Sequence, residues 1–140
     1  MIKQVTAFLP NKPGVLMQMS KVLGDAGIQI LGLMVADSSD FSAVRFTCDY
    51  PVRACKSLQE AGIQAAVTEV LAIAVPDVPG GLSTILARLV SADLNIGYAY
   101  CCTIGGRVVD IINVSSEPVE VKLAEIGFLG MSAEELGIHE

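Results

Sequence analysis

The chain has 140 residues, of which 52% are hydrophobic and 17% charged, with a formal net charge of −6. That composition excludes disorder, and no apolar run reaches the roughly 18 residues of a membrane span, the longest tract, 65–76, being broken by Glu69. The nine Lys and Arg are scattered singly, so neither nucleic acid nor membrane is expected as a partner, and MIKQVTAFLP lacks the pattern of a signal peptide, which predicts a cytoplasmic protein.

Residues 2–9 predict a strand with Val5, Ala7 and Leu9 on one face. Pro13 and Gly14 then open a helix whose apolar positions Val15, Leu16, Met19, Val22, Leu23 and Ala26 form a core stripe. Gly27 ends it, and Ile28 to Ala36 follows as a mostly apolar strand. Asp37-Ser38-Ser39-Asp40 turns the chain into an alternating strand carrying Val44, Phe46 and Cys48. A second helix runs from near Pro51 to Gly62. A strand over 64–69 then leads without a linker into another over 70–75.

The pattern now recurs. Asp77-Val78-Pro79-Gly80 opens a helix with Leu82, Ile85, Leu86, Leu89 and Val90 as its core stripe, and strands over Leu94 to Thr103 and Val108 to Ser115 flank a Gly105-Gly106 turn. A last helix starts near Ser116 to Pro118 and stops at Gly127. Beyond it Ser132 and Glu135 have capping-box spacing, so 131–137 is expected to form a helical turn in place of a strand. Sliding the sequence against itself by 66 positions explains the recurrence. Identities fall at Pro10/Pro76, Pro13/Pro79, Gly14/Gly80, Leu16/Leu82, Leu23/Leu89, Ala26/Ala92 and Ile30/Ile96. The chain therefore divides into domains 1–70 and 71–140. The order βαββαβ in each favours the split-βαβ, ferredoxin-like α+β fold, an antiparallel sheet with helices on one face. The bare faces and the high apolar content predict that the two domains pair side by side and that the chain forms a homo-oligomer, most simply a homodimer.

Enzyme constellations are absent, and no catalytic residue, metal or cofactor is expected. The single histidine, His139, lies in a tail expected to be mobile. Cys48, Cys55, Cys101 and Cys102 have neither disulfide-framework nor zinc spacing and are expected as buried thiols. Asp110, within Val108-Val109-Asp110-Ile111-Ile112, is either a buried base or, the favoured alternative, a solvent-face or interface polar group. The two strand-to-helix turns are more suggestive. Each places a capping side chain, Asn11 or Asp77, before Pro and Gly, and the free N–H groups of the first helical turn suit a carboxylate. Gly14, Gly80 and Gly81 allow a ligand close to the backbone.

Asn11-Lys12-Pro13-Gly14-Val15-Leu16 with Gly27-Ile28-Gln29-Ile30, and Asp77-Val78-Pro79-Gly80-Gly81-Leu82 with Asp93-Leu94-Asn95-Ile96, resemble the ACT domain, a small regulatory module that binds amino acids. The resemblance covers nearly the whole chain as a tandem pair. It implies ligand contacts at the turns (Asn11, Pro13, Gly14, Val15 and Leu16; Asp77, Gly80, Gly81 and Leu82) and at the strand starts Gln29 and Asn95. If the copies pair through their second strands, Asn11 should work with Asn95 and Asp77 with Gln29. Asp77 in place of an amide and the longer Gln29 predict unequal sites. The expected function is that of an amino-acid-binding regulatory protein without a catalytic domain. The alternatives are a detached regulatory subunit of an amino-acid biosynthetic enzyme and a structural oligomer that binds nothing.

Overall fold

The structure, a computed structural model, describes residues 1–115 and 119–140. The expected start of the last helix, near Ser116 to Pro118, lies outside the described residues. Two compact units emerge, one comprising Lys3–Thr68 and Gly137–Glu140, the other Met1–Ile2 and Glu69–Leu136. Among the described residues no helix is long and apolar enough to cross a membrane.

The first unit contains β1 (Ile2–Pro10), α1 (Val15–Asp25), β2 (Ile30–Asp37), β3 (Phe41–Cys48), α2 (Pro51–Glu60) and the start of β4 (Gln64–Ala74). The strand order is β2-β3-β1-β4. β3 pairs antiparallel with both neighbours, so that Val44 lies opposite Ala7 on β1 and Val35 on β2. Beside β1, the Thr6 and Thr68 hydroxyls are 3.2 Å apart. Alternation along these strands sends Val5, Ala7, Leu9, Val44, Phe46 and Cys48 into one core with Met19 and Leu23 of α1 and Ala54, Cys55 and Leu58 of α2. Each fully buried Leu or Phe contributes about 1.5–3 kcal/mol there.

The second unit uses the end of β4, then α3 (Gly81–Ser91), β5 (Ile96–Ile104), β6 (Arg107–Val114) and α4 (Val119–Glu125). Its strand order is β4-β6-β5, both pairs antiparallel. The core joins Leu71, Ile73, Ile112 and Val114 to Ile85 and Leu89 of α3 and to Leu123 and Phe128.

Several expectations are corrected. The strands predicted over 64–69 and 70–75 form one strand, β4, because nothing between them breaks the extended backbone. In the second copy no strand follows α4 among the described residues, so βαββαβ is complete only in the first. Only the Met131 N–H reaches the Ala72 carbonyl, at 2.7 Å. The capping box then takes over: Ser132 N–H donates to Glu135 Oε1, Glu135 N–H to Ser132 Oγ, each at 3.2 Å, and a 3-10 turn forms over Glu134–Leu136. The helical stripes are less fully buried than predicted: Val90, about 100° around α3 from buried Leu89, is 66% exposed, and Leu16 and Leu82, in line with Leu23 and Leu89 but in the first turns of their helices, are 42% and 41% exposed. The tail is docked, not loose. Ile138 is buried, His139 stacks on Tyr50 with ring centroids 4.8 Å apart, and its N–H donates to the Asp49 carbonyl at 2.7 Å.

Candidate functional site at the Pro-Gly turns

Both Pro-Gly pairs make the same backbone turn. Val15 N–H donates to the Lys12 carbonyl at 3.4 Å and Gly81 N–H to the Val78 carbonyl at 3.0 Å, closing four-residue turns with Pro second and Gly third. Gly14 (φ 82, ψ −8) and Gly80 (φ 82, ψ −3) occupy the left-handed conformation that a type II turn requires at its third residue. Pro presets the turn before the helix and does not serve as the first helical residue. The expected side-chain caps do not form on either helix. Asn11 instead donates through Nδ2 to the Ser38 carbonyl at 3.2 Å, and its N–H reaches the Asp40 carbonyl at 3.0 Å, so it ties the turn to the β2–β3 connection.

Beside the first turn lies a pocket of about 220 Å3. Its wall joins apolar Leu9, Val15, Leu16, Val35 and Val44 to polar Asn11, Lys12, Asp37 and Ser42, with Pro10 completing it. Of the sequence-predicted residues, Asn11, Val15 and Leu16 line this pocket, while Pro13 and Gly14 shape the turn beneath it. Lys12, Asp37 and Ser42 were missed. Lys12 and Asp37 are visible in the sequence only as turn residues, and it is the pairing of β1 with β3, Leu9 opposite Ser42, that brings the first turn to the Asp37–Ser42 end of the β2–β3 hairpin. A larger cavity of about 290 Å3 in the second unit is lined mainly by Leu71, Leu123, Phe128 and Leu129 and holds none of the predicted residues.

Gln29 lies at the other end of β2, where Ile30 pairs with Cys48. Its N–H donates to Asp49 Oδ1 at 2.9 Å, and its carbonyl accepts the Asp49 N–H at 3.2 Å. The second copy repeats this anchor: Asn95 Nδ2 donates to Ser115 Oγ at 3.0 Å, and Ser115 N–H to the Asn95 carbonyl at 3.1 Å. In the first copy the Gln29 backbone and the Asp49 carboxylate make the anchor, while the Gln29 side chain donates through Nε2 to the Ile30 carbonyl at 3.4 Å; in the second the Asn95 side chain itself takes part.

The second turn differs from the first. Gly81 replaces Val15, and a Cβ on Gly81 would run into the Pro76 carbonyl oxygen. Asp110 stands at the position of Val44, between Ile73 and Cys101 in the register. It is only 1% exposed, which corrects the solvent-face expectation. The Cys101 thiol lies 3.6 Å from Oδ1, while Oδ2 is buried without a partner. Burial pushes the Asp110 carboxyl up from its ordinary pKa, and the hydrogen bond from Cys101 opposes this in part. Cys48 and Cys55 are buried as expected, but Cys101 is exposed and Cys102 half-buried, because β5 shows both its faces in part to solvent. Burial pushes Cys48 up to about 12 and Cys102 up to about 11.

This fold and site define an α+β protein of antiparallel strands and four helices, built on two copies of one Pro-Gly turn. The chain belongs to the ACT domain pair family, whose model matches residues 1–124. It is similar to the crystal structure of protein BT0572 from Bacteroides thetaiotaomicron, with 29% identity and a TM-score of 0.85 over 96% of this chain and 94% of that one. It shares its fold with the ligand-free regulatory subunit of aspartate kinase from Thermus thermophilus, at 16% identity and a TM-score of 0.62 over 89% and 90% of the two chains. The regulatory subunit of aspartate kinase from Thermus flavus is similar at 15% identity, a TM-score of 0.57 and the same coverage. No curated protein matches the sequence.

Proposed function

We propose that the protein is a cytoplasmic regulatory protein that binds an amino acid at the first Pro-Gly turn. The observation that carries this reading is the pocket in which Lys12, Asp37 and a set of branched aliphatic residues meet. Leu16 and Met17 fall in the first turn of α1, whose N–H groups have no intrahelical partner, and with the Lys12 ammonium they suit a carboxylate. Asp37 suits the ligand's ammonium. Val15, Leu16, Val35 and Val44 would receive an apolar side chain. Charge-assisted hydrogen bonds of this kind are worth about 1.5–3 kcal/mol, or roughly 10- to 150-fold in affinity.

Isothermal titration against the twenty amino acids tests this directly. Binding of one of them should be weakened by Lys12→Ala, by Asp37→Asn, and by Val35→Phe, which fills the pocket. Unchanged affinity in all three places the ligand elsewhere. A second reading, a detached regulatory subunit of an amino-acid biosynthetic enzyme, draws support from the likeness to the aspartate kinase regulatory subunits, and co-purification of an enzyme with the tagged chain tests it. We further infer a homodimer, since Met17 and Phe41 leave apolar surface exposed; a monomer in light scattering at micromolar concentration refutes it.

A further inference from the structure

Residues Gly137–Glu140 follow the second copy in sequence but are part of the first unit. Their contacts converge on the junction between β3 and α2. Ile138 is buried, the His139 N–H donates to the Asp49 carbonyl at 2.7 Å, and the His139 ring stacks on Tyr50, whose ring also carries the Arg53 guanidinium 4.2 Å from its centroid. Glu140 Oε1 accepts the Arg53 N–H at 3.2 Å. That donor lies in the first turn of α2, where N–H groups have no intrahelical acceptor, and Tyr50 at the N-cap position makes no side-chain cap bond. A carboxylate 87 residues away in sequence thus caps the helix. Glu140 holds φ 61, a left-handed conformation that a residue with a side chain keeps only where its surroundings impose it.

Asp49 is also what fixes the start of β2. Its Oδ1 accepts the Gln29 N–H at 2.9 Å, and its own N–H donates to the Gln29 carbonyl at 3.2 Å. The clamp sits where β2 most needs one. β2 is an edge strand, and Ile30 pairs with Cys48 but Gly32 with Thr47, which leaves Leu31 as the extra residue of a bulge. Losing that bulge would slide β2 by one residue on β3 and turn its side chains to the opposite face. Val35 and Asp37, which line the first pocket, lie beyond the bulge on the same strand.

We propose that Gly137–Glu140 is a releasable strap that regulates the first pocket. Docked, it holds Asp49, Asp49 holds the bulged start of β2, and Val35 and Asp37 stay turned to the ligand. Released, it frees β2 to shift and lowers the affinity of the pocket. Gly137, at φ 70, is the hinge, and freeing four residues at the surface takes far less than unfolding the unit. The strap acts at the end of β2 remote from the pocket, so it changes affinity through the strand and not by contact with the ligand. This regulation rests on the amino-acid reading of the first pocket.

The test uses the whole chain and three substitutions outside the pocket: His139→Ala, which removes the ring stack, Glu140→Ala, which removes the α2 cap, and His139→Phe, which keeps a stacking ring. Hydrogen exchange followed by NMR reads the clamp through the Gln29 and Asp49 amides. Calorimetric titration with the amino acid that the twenty-member panel selects reads the pocket. Both Ala variants should exchange those two amides about tenfold faster while the Val5 and Ala7 amides of β1 keep their parent rates, and both should bind the ligand about 5-fold more weakly or worse. His139→Phe should match the parent in both measurements. Parent-like exchange at Gln29 and Asp49 in the Ala variants shows that the strap does not hold β2 and overturns the proposal. Faster exchange with parent-like affinity breaks the link from strap to pocket and overturns it equally. A parent that binds none of the twenty overturns the amino-acid reading itself, before any strap variant is measured, and the regulatory role falls with it.

Discussion

Replacing Gly14 by Ala isolates the conformational demand of the Pro-Gly turn. Gly14 sits at φ 82 and a Cβ built there meets nothing within 4 Å, so the whole cost is that of holding an L-residue in the left-handed region. That cost is about 1–2 kcal/mol, and the reduced freedom of the unfolded chain offsets about 0.4–1 kcal/mol of it. The net loss is therefore about 1 kcal/mol, or about 3–5 °C in melting temperature for a chain of this size. Gly14→Asn should lose less than Gly14→Ala, because Asn tolerates that conformation. At Gly81 the order reverses. Its φ is not left-handed, and the obstacle is the Pro76 carbonyl oxygen, a backbone atom that cannot rotate aside. Gly81→Ala should cost about 1–3 kcal/mol or more, and Gly81→Asn more again. Thermal melts of the four variants by circular dichroism decide the matter. If Asn is no better than Ala at 14, or if Gly81→Ala melts with the parent, the turn geometry is wrong.

Gly24→Ala should stabilise the protein by about 0.5–1 kcal/mol, since Gly24 lies within α1 with open space around its missing Cβ; a lower urea midpoint contradicts this. Asp110 gives a pH signature. Its folded pKa is raised by burial, so the folded state holds the proton more tightly than the unfolded one, and that stability is present at low pH and lost as pH rises through the folded pKa. The advantage of Asp110→Asn over the parent in urea melts should therefore grow as pH rises above the ordinary aspartate range, while Cys101 and Cys102, whose pKa values are also raised, stay as thiols; a pH-independent difference refutes the assignment. Iodoacetamide at neutral pH should label exposed Cys101 before the other three thiols and leave Cys48, pushed up to about 12, untouched in the native state; mass spectrometry showing early modification of Cys48 contradicts its burial.

Local and periodic features were legible without coordinates. The stripe that buries Met19 and Leu23, the alternation that buries Val44, Phe46 and Cys48, the glycine stops after α1 and α2, and the Ser132–Glu135 box all arise from interactions within a few residues, and sequence spacing carries them. The 66-residue repeat made the tandem organisation and the two Pro-Gly turns equally plain. The contents of the sites were another matter. Asn11 carries the residue type of a helix cap, but the fold sets it within reach of the Ser38 carbonyl. Asn95 carries the residue type of a ligand contact, and the fold also sets its Nδ2 within reach of the Ser115 hydroxyl, while at Gln29 it is the backbone that the Asp49 carboxylate holds. Lys12 shares a pocket with Asp37 and Ser42 only because the pairing of β1 with β3 sets Leu9 opposite Ser42 and so brings the first turn beside the β2–β3 hairpin. The burial of Asp110 depends on β4, β5 and the cover above them, none of which its neighbours in sequence encode. Short-range hydrogen bonds and hydrophobic period thus determined which elements form. Long-range pairing and packing alone decided which polar groups those elements expose, satisfy or leave waiting for a partner.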